Sequence, residues 1–242
     1  MTPNLLTSPS AEIDDLYRLR AEYAVRERRL AGSDIYSLFN LSHLFLIQQR
    51  QRAVLKLLRR HGCAQLRNRQ ILELGCGRGD VLLEYLGYGA KPEHLHGTDL
   101  LFERIKNAHT RLPNLPLTCS DGRSLPYASG TFDLVLQYTV FSSILDGKIK
   151  AALAREMLRV LKPGGLILWY DFWFNPLNKQ TRGILPAEIR RLFYGCHFEF
   201  HRITLAPPIA RLLTPVSYLL VYLLEKIRMF NTHYLVTIRK IS

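Results

Sequence analysis

The chain has 242 residues, 48% of them hydrophobic and 22% charged, so it can bury a sizeable core and is too apolar to be disordered overall. A formal net charge of +13 is substantial, but no unbroken Lys/Arg tract marks a nucleic-acid arm, and a solvated basic surface is the leading reading. The four cysteines, Cys63, Cys76, Cys119 and Cys196, lack C-x-x-C spacing, which argues against a metal site or a disulfide framework and fits a reducing cytoplasm.

Residues 1–10 read as a loose tail with Pro3 and Pro9, and they lack the basic-then-apolar pattern of a secretory signal. From Ala11 to Leu30, Ile13, Leu16, Tyr17, Ala21 and Ala24 recur on one helical face. Asp14–Arg18 and Glu22–Arg26 are acid-first i,i+4 pairs. Gly32 and Ser33 end this helix. Asn40 is expected to cap a second helix that runs to about Arg60 and closes at Gly62, with Gln48, Gln49, Arg52 and Arg59 on its polar side. Residues 1–62 thus read as a tail and a helical cap, either roofing a pocket or bracing a sheet. Residues 63–242 read as the main domain.

A βα alternation begins at Gln70. The expected strands are Ile71–Leu74, Leu95–Asp99, Leu117–Ser120, Phe132–Gln137 and Leu166–Asp171. Helical segments lie between most of them, at Asp80–Leu86, Phe102–Arg111 and Lys148–Leu161. This pattern predicts an α/β fold with a mainly parallel, doubly wound sheet and a ligand at the carboxyl ends of its strands. His197–Leu205 and Thr232–Ile238 alternate like two further strands, separated by a helical insertion at about 206–230. Pro207 and Pro208 are expected to break the first of these strands, and Pro215 to interrupt the insertion. The apolar run Val216–Leu224 is too short to span a membrane. It reads first as a buried core helix, second as a dimer surface and third as peripheral membrane contact.

The chemistry concentrates in Ile71–Asp80, ILELGCGRGD. An apolar strand runs into glycines at alternate positions, where the backbone must bend sharply and a ligand must come close. The helix that follows turns its unpaired N–H groups toward that bend. A dinucleotide fingerprint needs its third glycine three positions after the second. Asp80 stands there instead, so the pattern is E-x-G-x-G-x-G. Asp99 closes the next strand, where a carboxylate can accept both hydroxyls of a ribose. Ser120-Asp121-Gly122 follows the third strand, and Leu161-Lys162-Pro163-Gly164-Gly165 joins a helix to the fifth.

In order and spacing these motifs resemble the class I S-adenosylmethionine-dependent methyltransferases, from about Gln70 to Asp171. The resemblance implies a Rossmann-like sheet of seven strands with the last one antiparallel. It implies S-adenosylmethionine as methyl donor and S-adenosylhomocysteine as product. Carried over by position, Glu73 would help hold the methionine end, and Gly75, Cys76 and Gly77 would give close backbone contacts. Asp99, with Leu100 beside it, would take the ribose. Asp121 and Gly122 would meet the adenine, and Gln137 would lie near the sulfonium. The aromatic stretch Trp169–Pro176, with Tyr138-Thr139-Val140-Phe141, is similar to a bacterial group acting in surface-glycan and natural-product assembly.

The expected activity is methyl transfer to a small-molecule or glycan acceptor, with a hydroxyl as the target. Asp171 and His43 are candidates for the base, and Tyr138 for orienting the acceptor. An RNA methyltransferase is the alternative suggested by the charge, but no appended RNA-binding module is evident, and Gln137-Tyr138-Thr139-Val140 stands where an amine-methylating motif would be. A non-catalytic partner protein is the third reading. No metal and no nucleic-acid partner is expected, and a homodimer is compatible with the sequence.

Overall fold

A computed structural model describes residues 9–30, 32–175, 178 and 180–240. Most of the expected tail, the side chains of Ile13 and Asp14, and Pro176 lie outside the described residues.

The strands are β1 (Ile71–Leu74), β2 (Leu95–Asp99), β3 (Leu117–Cys119), β4 (Phe132–Tyr138), β5 (Leu161–Phe172), β6 (Cys196–Leu205) and β7 (Asn231–Lys240). They form one sheet in the order β3-β2-β1-β4-β5-β7-β6. The pairs among β1 to β5 are parallel, and β7 runs antiparallel to both β5 and β6. The helices are α1 (Pro9–Leu30), α2 (Leu41–Arg60), α3 (Asp80–Gly87), α4 (Phe102–Arg111), α5 (Gly147–Val160), α6 (Pro186–Leu192), α7 (Pro207–Leu213) and α8 (Tyr218–Leu224). Chain order reverses beside β1: β2 lies on one side and β4 on the other, which opens a crevice at the strands' carboxyl ends.

The period of two decides which side chains face which layer. Leu134, Leu136 and Tyr138 of β4, with Leu166, Leu168 and Tyr170 of β5, share a core with Val54 and Leu58 of α2 and Leu82 and Tyr85 of α3. Val135, Ile167 and Trp169 face the other way, toward Leu153 and Met157 of α5 and Ile189 of α6. Tyr138 and Tyr170 are register partners, so their rings lie side by side on the α2 face.

The two N-terminal helices take different tasks. Helix α2 braces the sheet. Asn40 caps it by accepting from the N–H groups of Ser42 and His43, and Gly62 follows its end at a positive φ of 72°. Helix α1 instead lies across the crevice, where Leu16, Leu19 and Tyr23 line its wall. It is held by Asp15, which accepts from the N–H groups of Leu145 and Asp146, and by Arg18, which donates to the Ser143 carbonyl at 2.6 Å. Arg18 pairs with Asp15, three residues before it, and the expected partner Asp14 has a side chain outside the described ones.

Two expectations need correction, and that for Pro207 and Pro208 holds with an addition. Gln49 is buried rather than on a polar face, because its Oε1 accepts the Leu205 N–H at 2.9 Å and so satisfies a strand end. Pro207 and Pro208 end β6 but also start α7, where their missing N–H groups cost nothing. The run Val216–Leu224 is not a core helix. Val221 is buried, but Val216, Leu219, Leu220 and Leu223 are exposed. Helix α6 had no counterpart among the expected elements.

Candidate functional site

A cavity of about 710 Å³ occupies the crevice. Its floor is the turn after β1. Gly75, Gly77 and Gly79 all have positive φ, at 71°, 56° and 81°. Each also has a neighbour that a Cβ would strike. For Gly75 it is the Val140 side chain, for Gly77 the Arg104 guanidinium at 2.8 Å, and for Gly79 Leu112 at 2.7 Å. The first two glycines line the cavity, while the third lets α3 pack against the end of α4. The N–H groups of Gly75 and Cys76 both donate to the Thr98 carbonyl, at 2.7 and 2.9 Å, which ties the turn to β2.

Asp99 is 5% exposed and fastens the turn from the other side. Its Oδ2 accepts the Gly77 N–H at 2.8 Å, and its Oδ1 accepts the Leu101 N–H at 3.0 Å. Arg104 lies 3.6 Å from Asp99 and 3.7 Å from Glu27, and stacks on Tyr23 of the roof at 4.6 Å. Asp121 accepts from the backbone and guanidinium of Arg123, and Gly122 adopts a φ of 77°. Leu100, Cys76, Asp121 and Gly122 all line the cavity with Asp99. The expected donor-binding residues therefore all line the cavity except Gln137.

Gln137 and Asp171 belong to the opposite face of the sheet from Tyr138 and Tyr170, by strand alternation. Gln137 is fully buried. Its Nε2 donates to Asp171 and to the Tyr170 carbonyl, and its Oε1 accepts the Val140 N–H. Asp171 is 1% exposed and also accepts the N–H groups of Ser142 and Phe172. Burial raises its carboxyl above the usual range, against the pull of these donors. Neither residue lines the cavity. The arrangement fits a brace that fixes the turn after β4, where Thr139 holds a strained φ of 56°. Asp171→Ala should lower stability by roughly 1–3 kcal/mol, since it strips an acceptor from buried donors. Thermal unfolding checks this, and S-adenosylhomocysteine affinity in the same variant should stay within about threefold.

His43 also stands back from the cavity wall. Its ring meets Tyr36, a wall residue, edge-on at 5.4 Å, and burial and Arg50 lower its proton affinity. Tyr138 does reach the cavity. Burial raises its phenol well above the usual value and pushes Tyr170 up to about 12, so both stay protonated at neutral pH.

Sequence reasoning missed Arg50. This α2 residue enters the cavity over the faces of Tyr138 and Tyr170, at 5.3 and 5.6 Å, and pairs with Glu84 of α3. Burial alone would pull its proton affinity down, but Glu84 and the two tyrosines outweigh that and hold it charged. His233 stacks on the far side of Tyr170 at 4.6 Å and is kept neutral by burial, its pKa lowered to about 3. Glu73 shares the Arg50 side of the cavity. Its Oε2 has no hydrogen-bond partner, nor does the Oγ1 of Thr98 nearby. Burial, then Glu84, raises the Glu73 carboxyl well above its ordinary value.

Residues 71–165 match a family model described as a methyltransferase domain. The ubiquinone/menaquinone biosynthesis C-methyltransferase UbiE of Neisseria gonorrhoeae is 27% identical over 66% of this chain. The chain spans about 60% of that relative's length. A phthiotriol/phenolphthiotriol dimycocerosates methyltransferase of Mycobacterium ulcerans is 33% identical over 53% of this chain and 47% of its own. Among solved structures, the geranyl diphosphate C-methyltransferase of Streptomyces coelicolor, in complex with S-adenosyl-L-homocysteine, shares the fold with a TM-score of 0.56 and 15% identity, covering 77% of this chain and 76% of that one. The sheet order, the glycine turn fastened by a strand-end carboxylate, and these likenesses converge: residues 71–165 form a methyltransferase domain, and they support the class I S-adenosylmethionine-dependent superfamily for the fold around it.

Proposed function

We propose that the chain transfers the S-adenosylmethionine methyl group to a small lipophilic acceptor whose reacting atom is a hydroxyl oxygen, or a carbon activated by such a hydroxyl. The observation that carries this reading is Arg50, a half-buried cation over the faces of Tyr138 and Tyr170 in a cavity that the leucines of α1 also line.

The residues present suit the donor. The cavity falls in the size range of small-molecule sites. The unpartnered Oε2 of Glu73 and Oγ1 of Thr98 face a space that can supply donors to them. Asp99 would hold the ribose, Asp121 and Gly122 the adenine, and Glu73 the methionine ammonium. When bound, S-adenosylmethionine supplies an electrophilic methyl group on a sulfonium. The chain then has to align the acceptor, exclude water and favour the acceptor's anion. Helix α1 covers the crevice, and Tyr138 and Tyr170 give flat walls for a ring. Arg50 would stabilise an oxyanion, lowering the hydroxyl's pKa so that its proton passes to solvent before the acceptor is enclosed. Such a fixed cation acts strongly because the site is shielded from water. This role replaces a protein base, and it suits oxygen or ring-carbon attack alike. The C-methyltransferase relatives support extending the acceptor from oxygen to carbon. A glycan suits the leucine wall less well than a lipophilic ring does.

Incubation with methyl-labelled S-adenosylmethionine and fractionated cell extract tests the reading. Label should enter the organic-soluble fraction. Label confined to RNA or to water-soluble glycan would overturn it.

Glu73 gives a pH prediction. Its carboxyl is held neutral over a wider range than usual because it is buried beside other acids. A donor ammonium would favour the ionised form, so binding should release a proton. Donor affinity should therefore rise with pH until it passes the free protein's Glu73 pKa. Calorimetry in buffers of different ionisation enthalpy would show the released proton, and Glu73→Gln should abolish it.

A further inference from the structure

The α7–α8 hairpin presents an apolar surface to solvent. Leu212 is 73% exposed, Val216 75% and Met229 72%, with Leu219 and Leu223 between them. Its inner side is fully used: Ala210 and Val221 pack with Phe45 and Leu205. The outer side is therefore a second apolar face on the same short helices, larger than folding requires.

Within the α7–α8 segment the exposed charges have one sign. Arg211, Lys226 and Arg228 are exposed within the segment. Its one carboxylate, Glu225, is buried and held by Arg52 and Lys226. The turn before α2 extends the surface. Phe39 is 98% exposed, with Leu38 and Leu41 beside it. Tyr218 helps tie the α7–α8 segment to α2: it donates to Gln48 at 2.7 Å and meets the Phe45 ring at 5.2 Å. The Leu38–Leu41 turn lies between Tyr36, a cavity-wall residue, and His43, whose rings meet edge-on at 5.4 Å, so this end of the surface borders the cavity.

We propose that the α7–α8 face and the Leu38–Leu41 turn form an interfacial docking surface for an anionic lipid bilayer. Apolar side chains would enter the headgroup–acyl boundary, while Arg211 and Arg228 meet anionic headgroups. Among the described residues no helix is long and apolar enough to cross a membrane, so the contact is with one leaflet. A second copy of the chain fits this face poorly. Pairing two such faces would bring both cationic rims together on a protein of net charge +13. Resting on the proposed lipophilic acceptor, the same contact would deliver that acceptor to the cavity from the bilayer.

Co-sedimentation of the full chain with vesicles tests this. The wild type should bind vesicles of phosphatidylglycerol and phosphatidylcholine. Leu219→Gln/Leu223→Gln keeps the charge and should weaken binding at least about tenfold. Arg211→Gln and Arg228→Gln should each weaken it about fivefold. Unchanged binding of the leucine variant would overturn the proposal in favour of adsorption by net charge. Absence of wild-type binding would overturn it outright, as would a dimer in ultracentrifugation that the leucine variant dissolves. S-adenosylhomocysteine affinity, measured in parallel, should be the same for all variants. That separates a failure of docking from a failure of the methyltransferase reading.

Discussion

Asp99→Ala should raise the dissociation constant for S-adenosylhomocysteine at least about 100-fold. Two losses combine in this one carboxylate. The first is a direct contact, since a strand-end acid beside the glycine turn can accept both ribose hydroxyls. The second is internal. Asp99 accepts the N–H groups of Gly77 and Leu101, and it does so at 5% exposure. Removing it leaves two N–H groups without an acceptor in the turn, at about 1–3 kcal/mol each where water cannot reach. Gly77 holds a positive φ only a few ångströms from Arg104, so a loosened turn would let that guanidinium shift across the donor's path. Asp99→Asn should fall between the two. Its amide oxygen can accept one N–H, but its NH₂ faces the other donor in repulsion. Calorimetric titration reads the affinity, and thermal unfolding should show a fall in both variants. Alanine-variant affinity within threefold of wild type would remove both the ribose contact and the bracing role.

The donor half of the site was legible because its signals are local. Glycine spacing, a strand-end acid and a second acid after the next strand are each read within a few residues, and parallel strands deliver them to one edge. The acceptor half was not, because it depends on which face each side chain takes. Asp171 looked placed for catalysis at a strand's end. Strand alternation puts it opposite Tyr170, on the α5 face, where it pairs with Gln137. Counting by twos along β5 puts Asp171 with Ile167 and Trp169, away from Leu166, Leu168 and Tyr170. Arg50 was hidden among many basic residues of α2. Its signal was position: it stands at helical spacing before Val54, Leu57 and Leu58, which are all buried. A cation on the apolar stripe of a helix needs a partner, and here it has Glu84 and two tyrosine rings. The Val216–Leu224 run misled for a different reason. It is apolar on all sides, which the sequence reads as burial, whereas only one side packs on the protein.

Arg50→Met should lower kcat/KM by about 10²–10³ with little change in donor affinity, the cost typical of losing one preorganised donor to an oxyanion. Methionine keeps much of the hydrophobic stem between Tyr138 and Tyr170 but removes the charge. The charge is what the proposed chemistry needs. With Glu73 given to the donor's ammonium, the acceptor's hydroxyl ionises where a cation favours its anion, and both tyrosines stay protonated at neutral pH. Losing Arg50 should therefore also move the acid limb of the rate profile upward, because a higher pH is then needed to form the same fraction of anion. Arg50→Lys should recover part of the rate, since the charge returns without the planar fork that stacks on the rings. Glu84 needs its own control, because it loses its partner when Arg50 is replaced. Glu84→Gln should leave the acid limb within a few tenths of a pH unit, as it removes the ion pair but keeps the guanidinium. Tighter dependence of donor binding than of turnover on Arg50 would instead place the guanidinium on the methionine carboxylate, and the acceptor would then have to be activated by another group.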